Sequence, residues 1–181
     1  GMLRDGIEGT DILRVAAMMQ ADGYFSQRAD RHEKRRARLN LKKPRKIERA
    51  RKNLVAAGME WKEYRRDNGF VVFTLSLYAT AFVCELLGDH KLFGPWLMRY
   101  NTQSLRAFIE EVALWDGHVY AWDTLDGVHT TPTYNTTEHV NASWVATIAH
   151  LIGWSAHVCK QQHTPSVYTQ APKPVWHVHV N

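Results

Sequence analysis

Cysteine is scarce in this chain. Cys84 and Cys159 stand far apart in apolar surroundings, and neither belongs to a Cys-x-x-Cys pair. That argues against a zinc ribbon or a disulfide framework. Long apolar runs are missing too. No stretch reaches the ~18 residues that suggest a membrane span, and no signal peptide is visible. A cytoplasmic protein in a bacterial or phage context, with no membrane partner, is expected. Acids are scarce in one place: residues 28–52 hold 13 Lys/Arg against 3 Asp/Glu, a net of +10, in a chain of net +5. The remainder therefore carries −5. A local excess of this size predicts a polyanionic partner.

What is present is ordinary for a globular protein. Hydrophobic residues make up 45% of the 181 positions and charged residues 23%, which allows one sizeable core or two small ones. Seven Trp and seven Tyr argue for packed structure over a floppy basic tail.

Local patterns order the chain. Asp11 is a candidate cap for a helix through Ile12, Val15, Ala16 and Met19 that stops near Gly23. "YFSQRADRHEKRRARLNLKK" reads as a hairpin. Arg36, Arg38 and Asn40 alternate with Ala37, Leu39 and Leu41, which gives one basic face and one apolar face. Pro44 opens a second helix that places Ile47, Ala50, Leu54 and Ala57 on one side and ends at Gly58. Asn68-Gly69 reads as a turn, Phe70–Leu75 as a strand and Tyr78–Leu87 as a helix. The order then recurs: an amphipathic helix ending in Asp116-Gly117, an aromatic strand, "TPTYNTT", a helix ending at Gly153, then "WSAHV" and "PVWHVHV" as later strands.

The recurrence has a measurable period. Asp22 to Asp116 is 94 residues and Gly58 to Gly153 is 95. This is a duplicated unit, too long for a solenoid repeat, and two such units can face each other across a pseudo-two-fold axis. An acid at a helix C-terminus is disfavoured by the helix dipole. If the two Asp-ending helices pack along the axis, with Ala16, Ala17 and Ala21 allowing close approach, the two carboxylates meet. They then need cations between them. Mg²⁺ prefers such hard oxygen ligands and keeps waters that can act as nucleophiles.

At these residues the chain resembles a known family. "VAAMMQADG" lines up position by position with the LAGLIDADG helix of homing endonucleases, and "IEEVALWDG" is a looser second copy. "ARLNLKKPRKIERARKNLVAAGMEWKEY" is similar to the strand, helix and following turn of the first repeat in intein-borne enzymes. "KLFGPWLMRYNTQSLRAFIEEVALWDG" resembles their linker into the second repeat, and "YNTTEHVNASWVATIAHLIGWSAHV" the matching half of that repeat. The likeness covers most of residues 12–180 and is to the endonuclease part alone.

The resemblance implies an α+β, pseudo-two-fold duplicated αββαββα homing-endonuclease-like fold with two antiparallel saddle sheets. The first repeat would take residues 2–98 with a motif helix at 12–23, the second 99–181 with a motif helix at 102–117. It implies a monomer with an internal pseudo-dimer, and a site-specific cut through both strands of double-stranded DNA using Mg²⁺ or Mn²⁺. Asp22 and Asp116 would be catalytic metal ligands, assisted by the carbonyls of Ala21 and Trp115. Glu111 stands where the family usually has a small residue, which implies a looser or offset helix crossing. For the basic pocket residue the candidates are Lys62, Lys91 and Lys160. His177 and His179 share one strand face, and no His spacing matches a zinc module.

DNA contacts follow from alternation. Ser26, Arg28, Lys34, Arg36, Arg38 and Asn40 are expected in the first half, and His118, Tyr120, Trp122, Thr133 and Asn135 in the second. Arg or Lys favours guanine and Asn adenine. Lys42, Lys43, Arg45, Lys46 and Arg49 are expected on phosphates, which position without specifying. The alternative is a catalytically degenerate nucleic-acid-binding protein of the same fold, maturase- or regulator-like.

Overall fold

The structure, a computed structural model, describes residues 6–26, 35–124, 127–161 and 174–181; at 120, 122–124 and 127–130 it describes the backbone alone. The chain divides into two compact units, Gly9–Leu92 and Phe93–Asn181, the second joined by residues 6–8.

The first unit begins with α1 (Thr10–Ala21). The expected cap, Asp11, lies instead inside the first turn, preceded by Gly9, which makes no side-chain cap bond. Asp11 still suits that position, because a carboxylate near a helix N-terminus meets the positive dipole end, and it accepts a hydrogen bond from Arg14 at 3.2 Å. Leu13, Val15, Ala16, Ala17, Met18 and Met19 are all buried.

β1 (Gly23–Ser26) and β2 (Arg36–Leu41) then pair antiparallel, with Gly23 opposite Leu39 and Ser26 opposite Arg36. The alternation holds: Ala37, Leu39 and Leu41 are buried, and the polar residues between them lie on the other face. α2 (Pro44–Ala56) opens on Pro44 and is followed by Gly58 at φ 62°, a left-handed stop.

β3 (Trp61–Arg65) and β4 (Val71–Leu75) complete the sheet in the order β1-β2-β4-β3. β3 has no counterpart in the pattern reading. Four of its five residues are exposed, so no buried alternation announces it. α3 (Leu77–Leu87) closes the unit; the Ser76 hydroxyl caps it by accepting from the Ala79 amide at 3.2 Å. α3 and β2 are tied where the buried Ala37 amide donates to Thr80 Oγ1 at 3.1 Å.

The second unit repeats the plan. After a 3₁₀ turn, Pro95–Arg99, come α4 (Thr102–Asp116), β5 (Gly117–Thr124), β6 (Gly127–Thr136), α5 (His139–Leu151), β7 (Ala156–Gln161) and β8 (Val175–Val180). Its sheet order, β5-β6-β8-β7, is that of the first sheet. Gly153 ends α5 at φ 87°, as Gly58 ends α2. The core is anchored by Phe93, whose ring meets Phe108 edge-on at 4.9 Å and Tyr134 at 6.3 Å. Its amide donates to the buried Asn141 Oδ1 at 2.7 Å. The architecture is thus α+β, with αββαββα in the first unit and αββαββ in the second. Among the described residues no helix is long and apolar enough to cross a membrane.

Candidate nucleic-acid interface

Asp22 is the residue that ends α1, and its amide still reaches Met18 O at 3.1 Å. A carboxylate there opposes the helix dipole. Lys46, in the first turn of α2, likewise carries a cation at a positive dipole end. The two offset each other: Lys46 Nζ lies 2.5 Å from Asp22 Oδ2, with side chains 12% and 28% exposed. Breaking such a half-buried pair costs more than the ~1 kcal/mol of an exposed pair and less than the ~3–5 kcal/mol of a buried one.

A second ammonium serves the same helix end. Lys91 Nζ donates to the carbonyls of Gln20 at 2.9 Å and Gly23 at 2.6 Å. Of the three pocket candidates, Lys91 is therefore the one the structure puts beside Asp22. Lys62 lies on edge strand β3, three strands from β1, about 14 Å away at ordinary strand spacing. Lys160 lies on β7 of the other unit, its ammonium 5.6 Å from the Trp176 ring centre.

Asp116 is the last residue of α4. The glycine after each acid is sterically required. A Cβ on Gly23 would meet Met19 O at 2.5 Å, and one on Gly117 would meet Thr133 O at 1.8 Å. Both Asp-Gly pairs thus mark a place where the strand leaves its helix with no room for a side chain. Trp115 is buried, and its indole N–H donates to the Glu111 carboxylate at 2.6 Å. Glu111, the departure from the motif, is fully buried. Its indole partner answers part of the cost of burying a carboxylate.

The first sheet turns one polar face away from its helices. Register puts Ser26 opposite Arg36, Tyr24 opposite Arg38, Arg38 opposite Thr74, and Thr74 opposite Lys62. Asn40 lies opposite Val72 on the same face, and its amide donates to Tyr24 Oη at 3.3 Å. Arg38 Nε and Asn40 Oδ1 are buried with no hydrogen-bond partner, a state that native structures seldom leave unanswered. Lys42 sits 5.7 Å from the Phe70 ring centre, Lys43 precedes α2 as its N-cap, and Arg45, Lys46 and Arg49 lie within α2. The first turn of α2 has no acid to offset its dipole. Arg28 and Lys34 lie outside the described residues.

The second sheet is less cationic. His118 lies opposite Thr133, Tyr120 opposite Thr131, and Trp122 opposite His129; the side chains of Tyr120 and Trp122 are outside the description. Thr133 is 4% exposed, and its hydroxyl accepts from the His118 amide at 3.1 Å and donates to the His118 carbonyl at 2.9 Å. Asn135 Oδ1 accepts from His177 Nδ1 at 2.7 Å. His179 and His157 are direct cross-strand neighbours. Among the described residues, no group of three or more His, Cys, Asp or Glu side chains could hold a metal ion. Sequence reasoning missed Tyr24 on the polar face and the bond of Lys46 to Asp22. The first could have been read from β1 alternation; the second has no local signal.

No family model matches the chain, and no curated protein matches it in sequence. Solved structures do match. I-DmoI in complex with DNA and Mn superposes with a TM-score of 0.59 at 10% identity, over 95% of this chain and 89% of that one. I-DmoI in complex with DNA and Ca gives 0.60 at 10% identity, over 95% and 83%. Mesophilic variants of the homing endonuclease I-DmoI give 0.57 at 10% identity, over 94% and 90%. The fold is that of the LAGLIDADG homing endonucleases.

In this LAGLIDADG fold the two Asp-Gly helix ends are Asp22-Gly23 and Asp116-Gly117. The Asp22 carboxylate is partly exposed at the negative dipole end of α1 and paired with Lys46, while Lys91 stands on the carbonyls of Gln20 and Gly23.

Proposed function

We propose that this chain binds double-stranded DNA across its two polar sheet faces and hydrolyses a phosphodiester bond in each strand of a specific site. Repeats 2–98 and 99–181 would each take one half of that site, in a monomer with an internal pseudo-dimer. The observation that carries this is the outward face of β2. Arg36, Arg38 and Asn40 stand over a buried apolar row. Base edges in the major groove offer the matching donors and acceptors, and a two-stranded ribbon fits that groove. The first turn of α2, basic and without an acid, suits phosphate oxygens. The similarity to I-DmoI, solved in complex with DNA and Mn, agrees with this reading.

Asp22 and Asp116 would each hold a divalent cation, Mg²⁺ or Mn²⁺, with the carbonyls of Ala21 and Trp115 assisting. Bound there, the cation supplies Lewis acidity toward the phosphate and an activated water. The protein's own part is placement. Gly23 and Gly117 let each strand leave its helix at close quarters, and Lys91 holds the carbonyls of Gln20 and Gly23 on either side of Asp22. Ser26, Arg36, Arg38 and Asn40 meet bases from the first sheet, with His118 and Asn135 on the second. Lys42, Lys43, Arg45 and Arg49 meet phosphates.

A selection from randomised duplexes in Mg²⁺, followed by sequencing of cut ends, tests this directly. Wild type is expected to yield one long cut sequence. Asp22→Asn and Asp116→Asn should lose cutting and keep binding. Arg38→Ala should cost about 1–3 kcal/mol of base discrimination, whereas Lys43→Ala should lower the salt slope by about one. A second reading, binding without cleavage in a maturase- or regulator-like role, draws support from the ammonium already seated on Asp22. It expects salt-dependent duplex binding with no cut ends. No duplex affinity even at low salt refutes both.

A further inference from the structure

The geometry points to Lys46 as a built-in counter-cation that competes with the divalent metal for Asp22 and is drawn off by a DNA phosphate. The inference rests on the assignment of Asp22 as a metal ligand made above. Lys46 Nζ is 2.5 Å from Asp22 Oδ2, so a dication cannot take that oxygen while the ammonium holds it. Both charges sit at the helix ends that disfavour them: Asp22 closes α1, and Lys46 lies in the acid-free first turn of α2. Each therefore gains from the other.

A phosphate changes that balance. The first turn of α2 presents backbone N–H groups together with Lys43, Arg45 and Lys46, which is the environment an anion prefers. A phosphate seated there would take Lys46 as one of its contacts. Asp22 is then left with a bare carboxylate that a dication can claim. Lys91 need not move, since it holds the carbonyls of Gln20 and Gly23 and not the carboxylate. The metal and the duplex thus bind with positive coupling, and the coupling is reciprocal: each raises affinity for the other by the same factor. In the free protein the Lys46 pair keeps Asp22 neutralised.

The test reads metal binding, not cleavage. Mn²⁺ is titrated into wild type, Lys46→Met, Asp22→Asn and the double variant, and free aqueous Mn²⁺ is followed by its electron paramagnetic resonance signal. Methionine keeps an unbranched apolar side chain and removes the charge; Lys46→Gln serves as a second variant, and far-UV circular dichroism confirms that each is folded. Lys46→Met is expected to bind Mn²⁺ about tenfold tighter than wild type, a typical coupling. A random-sequence duplex, with its own Mn²⁺ uptake subtracted, should tighten wild type and leave Lys46→Met nearly unchanged. If Asp22→Asn lowers Mn²⁺ binding but neither Lys46 variant raises it, the competition is wrong and the metal assignment stands. If Asp22→Asn has no effect in either background, the metal assignment fails, and the competition with it.

Discussion

Gly117→Ala measures how tightly the second acid is held. A Cβ at this position would lie 1.8 Å from Thr133 O and 2.9 Å from Ala113 O. Ordinary carbon–oxygen approach is about 3.3 Å, so β5 and β6 must part by roughly 1.5 Å. The obstacle is backbone, and no rotamer change relieves it. The strain also reaches the core. Gly117 pairs with Tyr134, which is 1% exposed and packs against Phe93. Overpacking usually costs about 1–3 kcal/mol, and a rigid backbone clash belongs at the top of that range. At about 2–4 °C per kcal/mol for a chain of this size, melting should fall by roughly 6–12 °C. Gly58→Ala is the control. Its added Cβ meets nothing within 4 Å, and only the left-handed φ of 62° opposes it, at about 1–2 kcal/mol. Scanning calorimetry of the two variants should place Gly117→Ala clearly below Gly58→Ala. A Gly117→Ala protein that melts with wild type would refute the close-approach argument, and with it the steric reason for glycine after Asp116.

Two further outcomes follow from the first unit. Thr80→Val strips the buried Ala37 amide of its acceptor at 3.1 Å, so urea unfolding should show a loss of about 1–3 kcal/mol, with Thr80→Ser largely spared; an unchanged midpoint in Thr80→Val contradicts this. Arg51 hydrogen-bonds Glu63 at 2.5 and 3.0 Å, and that bond holds the Glu63 carboxyl below its ordinary value of 4.5 against the opposing effect of burial. A lowered folded-state value means the unfolded chain takes up the proton first. The pair's stabilisation is therefore full above about pH 4.5 and fades as pH falls through the lowered value. The stability gap between wild type and Glu63→Gln should hold from pH 7 to about 5 and shrink in acid; a gap that widens in acid would reverse the assigned sign.

Much of each unit was legible along the chain. A period-two run at Arg36–Leu41 gave a strand with one apolar face, and the structure keeps that face buried. Gly58 and Gly153, 95 residues apart, both became left-handed helix stops. Such signals work because each arises between near neighbours in the chain, where helix and strand periodicity act. β3 was illegible for the complementary reason: as an exposed edge strand it buries no alternating face. The expected cap at Asp11 missed by two residues because its acid suits the first turn as well as the cap.

By itself, then, the chain determined the order of the helices and of the strands other than β3, the doubled Asp-Gly helix ends and the basic ribbon of β2. Only tertiary structure decided what surrounds Asp22. Lys46 lies 24 residues away in sequence, and Lys91 lies 71 from Gln20 and 68 from Gly23. No periodicity spans such separations. The packing of α2 on α1 and the turn after α3 brought these ammonium groups to one helix end, where a negative dipole and a carboxylate attract them.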